Sequence, residues 1–176
     1  IYPASMPEVI GVGGISPCYQ RKSKVSCDNL GAFQNWGACY GEGMEIVAPC
    51  TYVGTTELGG GWCVCGNGTS DSSPMAAGVA ALMLCKNINL SGIEVKNLIE
   101  RNARRVGNYS YNIQKENGSW NEEMGYGLID AKICLDNTPA GPTVIYDQVP
   151  PVLTIYPPES NVYTSPITVD AVITDN

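Results

Sequence analysis

Residues 67–82 read Asn67-Gly68-Thr69-Ser70-Asp71-Ser72-Ser73-Pro74-Met75-Ala76-Ala77-Gly78-Val79-Ala80-Ala81-Leu82, and the change of character halfway along decides the fold class. The first half is small and polar, whereas the run from Met75 to Cys85 is almost wholly apolar. Such a switch marks a helix start, which places a helix N-terminus near Thr69 or Ser70 with Pro74 in its first turn or just beyond. A helix apolar on nearly every side must be enclosed by other layers. The expectation is a layered α/β domain, with a sheet and a neighbouring helix packed against this one. A serine at such a terminus meets backbone N–H groups without helical partners and the positive end of the dipole. Taken alone, Gly-Thr-Ser in this position reads as an N-cap.

Upstream, Val9, Ile10, Val12 and Ile15 suggest a strand over 8–15, in which Gly11, Gly13 and Gly14 allow close backbone approach. A second short strand is expected over 44–48, closed by Pro49, and the turn-rich 18–43 reads as surface loop. Downstream, Ser91 and Glu94 form a capping box, and Leu90 and Val95 occupy the positions of a hydrophobic staple. Val95, Leu98, Ile99, Ala103 and Val106 then recur at helical spacing, Arg101, Arg104 and Arg105 gather at the C-terminal end, and Gly107 supplies the stop. The spacing predicts a helix over 92–106. Residues 108–123 read as polar loop and 124–135 as a tight turn followed by a short helix. The segment 137–151 holds Pro139, Pro142, Pro150 and Pro151 and reads as a linker. Beyond it, a strand near 152–156 precedes strict alternation from Ile167 to Thr174. Two strands bounded by Pro157-Pro158 and Ser165-Pro166 look like the opening of an immunoglobulin-like β-sandwich, which needs about 100 residues to close.

The composition, 176 residues with 44% hydrophobic, 15% charged and 20 glycines, is that of an ordinary globular protein. The net charge is −7 and the 10 Lys and Arg are scattered, which argues against nucleic acid as a partner. The Met75 to Cys85 run is well short of the roughly 20 residues that cross a bilayer, so no membrane span is expected. The chain opens Ile1-Tyr2-Pro3, with neither Met nor a basic and then apolar leader, so the start of the protein is expected upstream. Eight cysteines, at 18, 27, 39, 50, 63, 65, 85 and 134, allow up to four disulfides in an exported protein, secreted or at the cell surface, with connectivity open. Zinc is disfavoured: there is no His, and Cys63-Val64-Cys65 lacks a second ligand pair at finger-like spacing. Cys85 and Cys134 also read as small core residues.

The stretch 67–82 resembles the nucleophile motif of the subtilase family, in which Gly-Thr-Ser runs through two small residues to Pro and then an apolar helix with an internal Gly. The resemblance continues in order along the chain. Tyr2-Pro3-Ala4 followed by Val9-Ile10-Gly11-Val12-Gly13 is similar to the family's strand after the oxyanion-hole region, and Leu30-Gly31-Ala32-Phe33-Gln34-Asn35-Trp36-Gly37 to its Phe-Ser-Asn-aromatic-Gly loop. Glu45-Ile46-Val47-Ala48-Pro49 resembles the strand ending in Ala-Pro, and Gly125-Tyr126-Gly127-Leu128-Ile129-Asp130-Ala131 the closing Gly-aromatic-Gly segment.

This resemblance implies a subtilisin-like three-layer α/β/α fold with a mostly parallel sheet. Residues 1–136 form the C-terminal part of its catalytic domain, 137–151 a Pro-rich linker and 152–176 a truncated immunoglobulin-like β domain. It implies a serine-type endopeptidase that hydrolyses polypeptides through an acyl-enzyme on Ser70, the helix N-terminus stabilising the oxyanion. In subtilases the chain order is Asp, His, Ser, so the N-terminal remainder of the catalytic domain, with both partners and the oxyanion Asn, is expected before Ile1. With no His in these 176 residues, the fragment alone is expected to be inactive, since losing the base costs about 10⁶-fold, or roughly 8 kcal/mol of barrier. No cofactor is required; calcium is implied by the family, with no site placed.

Asp71 stands where Met is common after the nucleophile, and Met75 where His is common after the Pro. The Asp71 charge lies next to Ser70 and would oppose a developing oxyanion. The alternatives are therefore a catalytically inactive relative and an extracellular binding or structural module. Gly11-Val12-Gly13-Gly14 lacks a third fingerprint Gly and a following helix, so strand packing explains it better than a phosphate loop. Asn67, Asn89, Asn108 and Asn117 begin formal glycosylation sequons. Trp62 and the 58–61 turn read either as a border of the substrate cleft or as packing.

Overall fold

Close backbone contact builds the centre of the fold. In β1 (Val12–Ile15) and β2 (Ile46–Pro49) the chain forms a parallel pair with Val12 opposite Ile46 and Ile15 opposite Pro49. An added Cβ at Gly11 would lie 2.0 Å from the Gly43 carbonyl oxygen, and one at Gly14 would lie 2.7 Å from Cys50 Sγ. Only glycine admits those approaches, as the sequence suggests. The computed structural model describes residues 2–28, 35–142, 152–156 and 170–174. By its contacts the chain divides into two units, Ile1–Pro142 and Thr143–Asn176.

After β2, the strands β3 (Thr51–Thr56) and β4 (Trp62–Asn67) form an antiparallel hairpin whose second strand runs into α1 (Thr69–Lys86). Then follow α2 (Gly92–Arg101), the short hairpin β5 (Ile113–Lys115) and β6 (Gly118–Trp120), and α3 (Ala131–Asn137). In the second unit β7 (Val152–Tyr156) and β8 (Asp170–Thr174) pair antiparallel. The proline pairs expected to bound them, and most of the expected linker, lie outside the described residues.

The alternation of side chains along β2 creates two cores. Ile46 packs with Ala76, Val79 and Met83 of α1, Val95 and Ile99 of α2, and Cys134 of α3. Its neighbour Val47 points the other way, into a cluster with Ile15, Met44, Trp120, Met124 and Tyr126. Among the described residues all three helices thus meet the Ile46 core, and β6 with the loop after it supplies the other. The sheet is also wider than its two named strands. Val47 N–H donates to Gly127 O at 2.9 Å and Ile129 N–H to Val47 O at 3.0 Å, while Arg104 and Leu128 exchange both bonds at 2.8 Å.

That last exchange explains why α2 ends at Arg101, five residues before the expected stop. The chain leaves the helix so that Arg104 pairs with Leu128, although Ala103 and Val106 still pack inward, against the second core. The hairpin β3–β4 and the short β5–β6 pair were not expected, because their residues lack an apolar period; buried Trp120, whose Nε1 donates to Met44 O at 2.7 Å, anchors the latter. The enclosed α1 also needs correction. Ser72, Ala76, Val79 and Met83 are buried, whereas Ala77, Ala81, Leu82 and Cys85 on the opposite side are exposed among the described residues. The first residues of the expected linker are packed rather than free: Thr138 Oγ1 donates to Cys134 O at 2.7 Å and Gly141 N–H to Lys86 O at 3.2 Å.

Candidate active site

The mouth of α1 is held at the C-terminal ends of the parallel strands, the place where open α/β sheets present ligand-binding loops. Ser72, fully buried in the first turn, donates from Oγ to the carbonyls of Ala48 (3.1 Å) and Pro49 (3.0 Å). Gly68 N–H donates to Cys50 O at 2.8 Å. These bonds fix the terminus from below, so the side chains above it have a defined position.

The N-cap is Gly68, in extended backbone, and no side chain caps the helix. Ser70 is therefore not the cap but the second helical residue, and its side chain is exposed. It lines a groove of about 600 Å³ together with Asn67, Gly68, Thr69 and Ser73; Trp36, Tyr40 and Met44 form part of the facing wall. An added Cβ at Gly68 would sit 3.7 Å from Ser70 Oγ, so the glycine keeps the near side of the hydroxyl open. An uncapped first turn leaves N–H groups and the positive end of the helix dipole available beside that hydroxyl.

Beneath the mouth lies a buried polar network. Asp28 accepts from Ser26 Oγ and Thr51 Oγ1, both at 2.5 Å, and Lys22 Nζ stands 3.5 Å away. Burial pushes the Asp28 carboxyl up, but the two hydroxyl bonds and the Lys22 charge outweigh it and hold the group below its ordinary value. Thr51 pairs with Asn67 across the hairpin, so the network reaches the residue that precedes Gly68. On the groove side Trp36 Nε1 donates to Asn67 Oδ1 at 2.8 Å. Cys50, close under Thr69, is a poor rival nucleophile: burial, with the Asp28 charge adding to it, pushes its thiol up to about 12.

The remaining sequence candidates distribute unevenly. Asp71 turns toward β4, where an added Cβ at Gly66 would come within 3.0 Å of its Oδ1, and it is not among the groove-lining residues. Met75 is half-buried. Trp62 is 75% exposed and does not line the groove; Trp36 and Tyr40 do. The signal for Trp36 was its place in the aromatic-Gly loop, most of which, 29–34, lies outside the described residues. Of the eight cysteines, Cys18–Cys27 and Cys63–Cys65 are paired, while Cys39, Cys50, Cys85 and Cys134 are free. Cys134 is buried as a core residue and Cys85 is exposed. Among the described residues one group of three side chains, Glu57, Cys63 and Cys65, brings potential ligand atoms together, a sulfur-rich set unsuited to calcium and with its two sulfurs joined in a disulfide. Among the described residues no helix is long and apolar enough to cross a membrane.

Comparison with known proteins places these features in context. Residues 1–127 match the family model described as "Subtilase family". M-protease of Shouchella clausii (strain KSM-K16) is 41% identical over 107 residues, 61% of this chain and 24% of that protein. Subtilisin E of Bacillus subtilis (strain 168) is 33% identical over 110 residues, 62% of this chain and 25% of that protein. The chain thus spans about a quarter of the length of these relatives. Among solved structures, MycP1 from Mycobacterium smegmatis superposes with a TM-score of 0.58 at 23% identity, covering 85% of this chain and 36% of that one, a likeness of fold.

Proposed function

This chain belongs to the subtilase family, and from that premise we propose that Ser70 is the nucleophile of a serine-type endopeptidase acting on polypeptides outside the cell or at its surface. One observation carries the reading: the Ser70 hydroxyl is exposed at the uncapped mouth of α1 and opens into a groove. In the reaction, Ser70 Oγ attacks the scissile carbonyl and gives up its proton. The carbonyl oxygen becomes an oxyanion beside the Ser70 N–H at the head of the first turn, the Asp71 N–H being bonded to Gly68 O at 3.0 Å. Collapse breaks the C–N bond, the amine leaves with a proton, and water then cleaves the ester to release the acid and restore the serine.

A serine needs a base, and these 176 residues contain no His. The imidazole, its carboxylate and the oxyanion Asn come, on this reading, from an N-terminal remainder of the catalytic domain. Two surfaces suit that partner. The exposed apolar side of α1, with Leu82 51% exposed, lacks a covering layer among the described residues, and a parallel pair widened only by the bridges at Leu128 and Arg104 is ordinarily one part of a larger buried sheet. With both covered, the domain has the three-layer α/β/α form. Residues 152–176 are read as the opening of an immunoglobulin-like sandwich, which their period of two supports. Asp71 keeps a second reading alive, that of a catalytically inactive relative.

A fluorophosphonate probe separates the two when applied to the complete protein and to its Ser70→Ala variant. Labelling lost with the substitution supports the protease. Equal labelling of both removes Ser70 from the role, and no labelling of either points to the inactive relative.

A further inference from the structure

The β3–β4 hairpin holds a second constellation that the hydrolytic reading does not use. Cys63 and Cys65, two apart on β4, point to one face of the strand. The hairpin turn is closed by Glu57 N–H donating to Gly61 O at 2.9 Å, and it brings Glu57 back over that face. Glu57 folds close to Gly61, where an added Cβ would lie 3.1 Å from its Oε2. A carboxylate oxygen and the two sulfurs all lie within 4.8 Å of one another. Among the described residues the Glu57 carboxylate has no hydrogen bond or ion pair. Spacing rules for Cys and His pass over this set because the third member arrives across a turn.

We propose that this hairpin carries a thiol-gated site for one thiophilic metal ion, with Cys63 and Cys65 as thiolate ligands and Glu57 as the carboxylate ligand. Two thiolates select a soft or borderline ion, and three protein ligands plus water complete an open tetrahedral site. The disulfide between the cysteines is suited to being the gate. A cross-link spanning two residues removes little freedom from the unfolded chain, far less than Cys18–Cys27 with a separation of 9. Cys65 is exposed and Cys63 half-buried, so an external thiol has access. Opening follows ordinary exchange. A dithiol attacks one sulfur, its second thiol resolves the mixed disulfide, and it leaves as a cyclic disulfide. Two electrons and two protons have then passed to Cys63 and Cys65. Metal binding displaces both protons to solvent. β4 continues through Asn67 into the segment bearing Ser70, so occupancy bears on the strand that carries the groove wall. The site itself does not depend on the role of Ser70.

Cadmium ion is the probe. The full chain is reduced with a dithiol, freed of reductant without oxygen, and titrated with Cd²⁺ while thiolate-to-metal charge-transfer absorption is followed. The wild type is expected to bind one more ion than Cys63→Ser/Cys65→Ser, Glu57→Gln to bind that ion at least about tenfold more weakly, and the oxidised chain not to bind it. Equal stoichiometry in the wild type and the double variant overturns the site, equal binding before and after reduction overturns the gate, and unchanged affinity in Glu57→Gln overturns the three-ligand assignment. A measurement on the wild type alone guards against misfolding of the variant. Cd²⁺ must slow alkylation of Cys63 and Cys65 in a peptide map, and failure to do so overturns the proposal.

Discussion

The helices α1 and α2 start in opposite ways. At the head of α2, Ser91 accepts from Glu94 N–H, and Glu94 Oε2 accepts from Ser91 N–H at 2.7 Å, so the terminus satisfies itself. At the head of α1 the cap is a glycine without a side chain, and the bonds that hold the turn come from Ser72 reaching down to β2. The helices also differ along their lengths. α2 is amphipathic and gains its place from its own sequence, while α1 is apolar nearly all round and gains its place from the one side that packs into the Ile46 core. What this teaches is that a terminus can be fixed without being capped. Tertiary bonds from below hold the turn without a side chain over its mouth, at the expense of only the few tenths of a kcal/mol by which a glycine cap falls short of a side-chain cap.

Substitutions can break or sharpen that contrast, and the largest effect belongs to α2. Its Lys96 is nearly buried and donates from Nζ to Pro7 O (2.8 Å), Val9 O (3.2 Å) and Glu45 Oε1 (3.1 Å), with Glu100 Oε1 at 3.7 Å. Lys96→Met leaves buried carboxylates without their cation and is expected to destabilise the protein by about 4 kcal/mol in denaturant unfolding. Met83→Ala, at the fully buried centre of the α1 face, is expected to cost about 3 kcal/mol by the same measurement. Next come the caps. Ser91→Ala should cost about 1 kcal/mol, whereas Gly68→Asp, which replaces a glycine cap, should stabilise α1 by only a few tenths of a kcal/mol and yet slow fluorophosphonate labelling of the complete protein. If Gly68→Asp leaves labelling untouched, the open terminus has no part in reactivity.

The last effect is one of slope rather than of size. Burial raises the Glu100 carboxyl from 4.5 to about 7, with the nearby Glu45 charge adding to it; the hydrogen bond from Asn117 and the Lys96 charge oppose that rise. The folded state therefore holds this proton more tightly than the unfolded one, and its contribution is most favourable below about 4.5 and is lost as the pH rises toward 7. Glu100→Gln should flatten thermal stability across that window, and an unchanged slope would place the titration elsewhere.

The same contrast explains what was legible in the sequence. Capping box, staple and periodicity are local, so the start of α2 at Gly92 can be read directly; its end cannot, because Leu128 draws Arg104 into backbone pairing from afar. Likewise the start of α1 is readable at the polar-to-apolar switch, which puts Ser70 in the first turn. The groove wall is not. Trp36 acts through a bond to Asn67 that spans 31 residues, and Asp28 through Thr51, contacts that no period or spacing encodes. The polar strands β5 and β6 fall in a stretch that reads as loop, because hairpin pairing and one buried Trp120, rather than an apolar pattern, define them.

The most direct test is to trap the covalent intermediate. The complete protein is mixed with a slowly deacylated ester substrate, quenched in acid and mapped by mass spectrometry. An acyl group on the peptide containing Ser70, at the hydroxyl and absent from Ser70→Ala, is the expected result. Continued hydrolysis with the acyl group on another residue, or undiminished hydrolysis by Ser70→Ala, would contradict it.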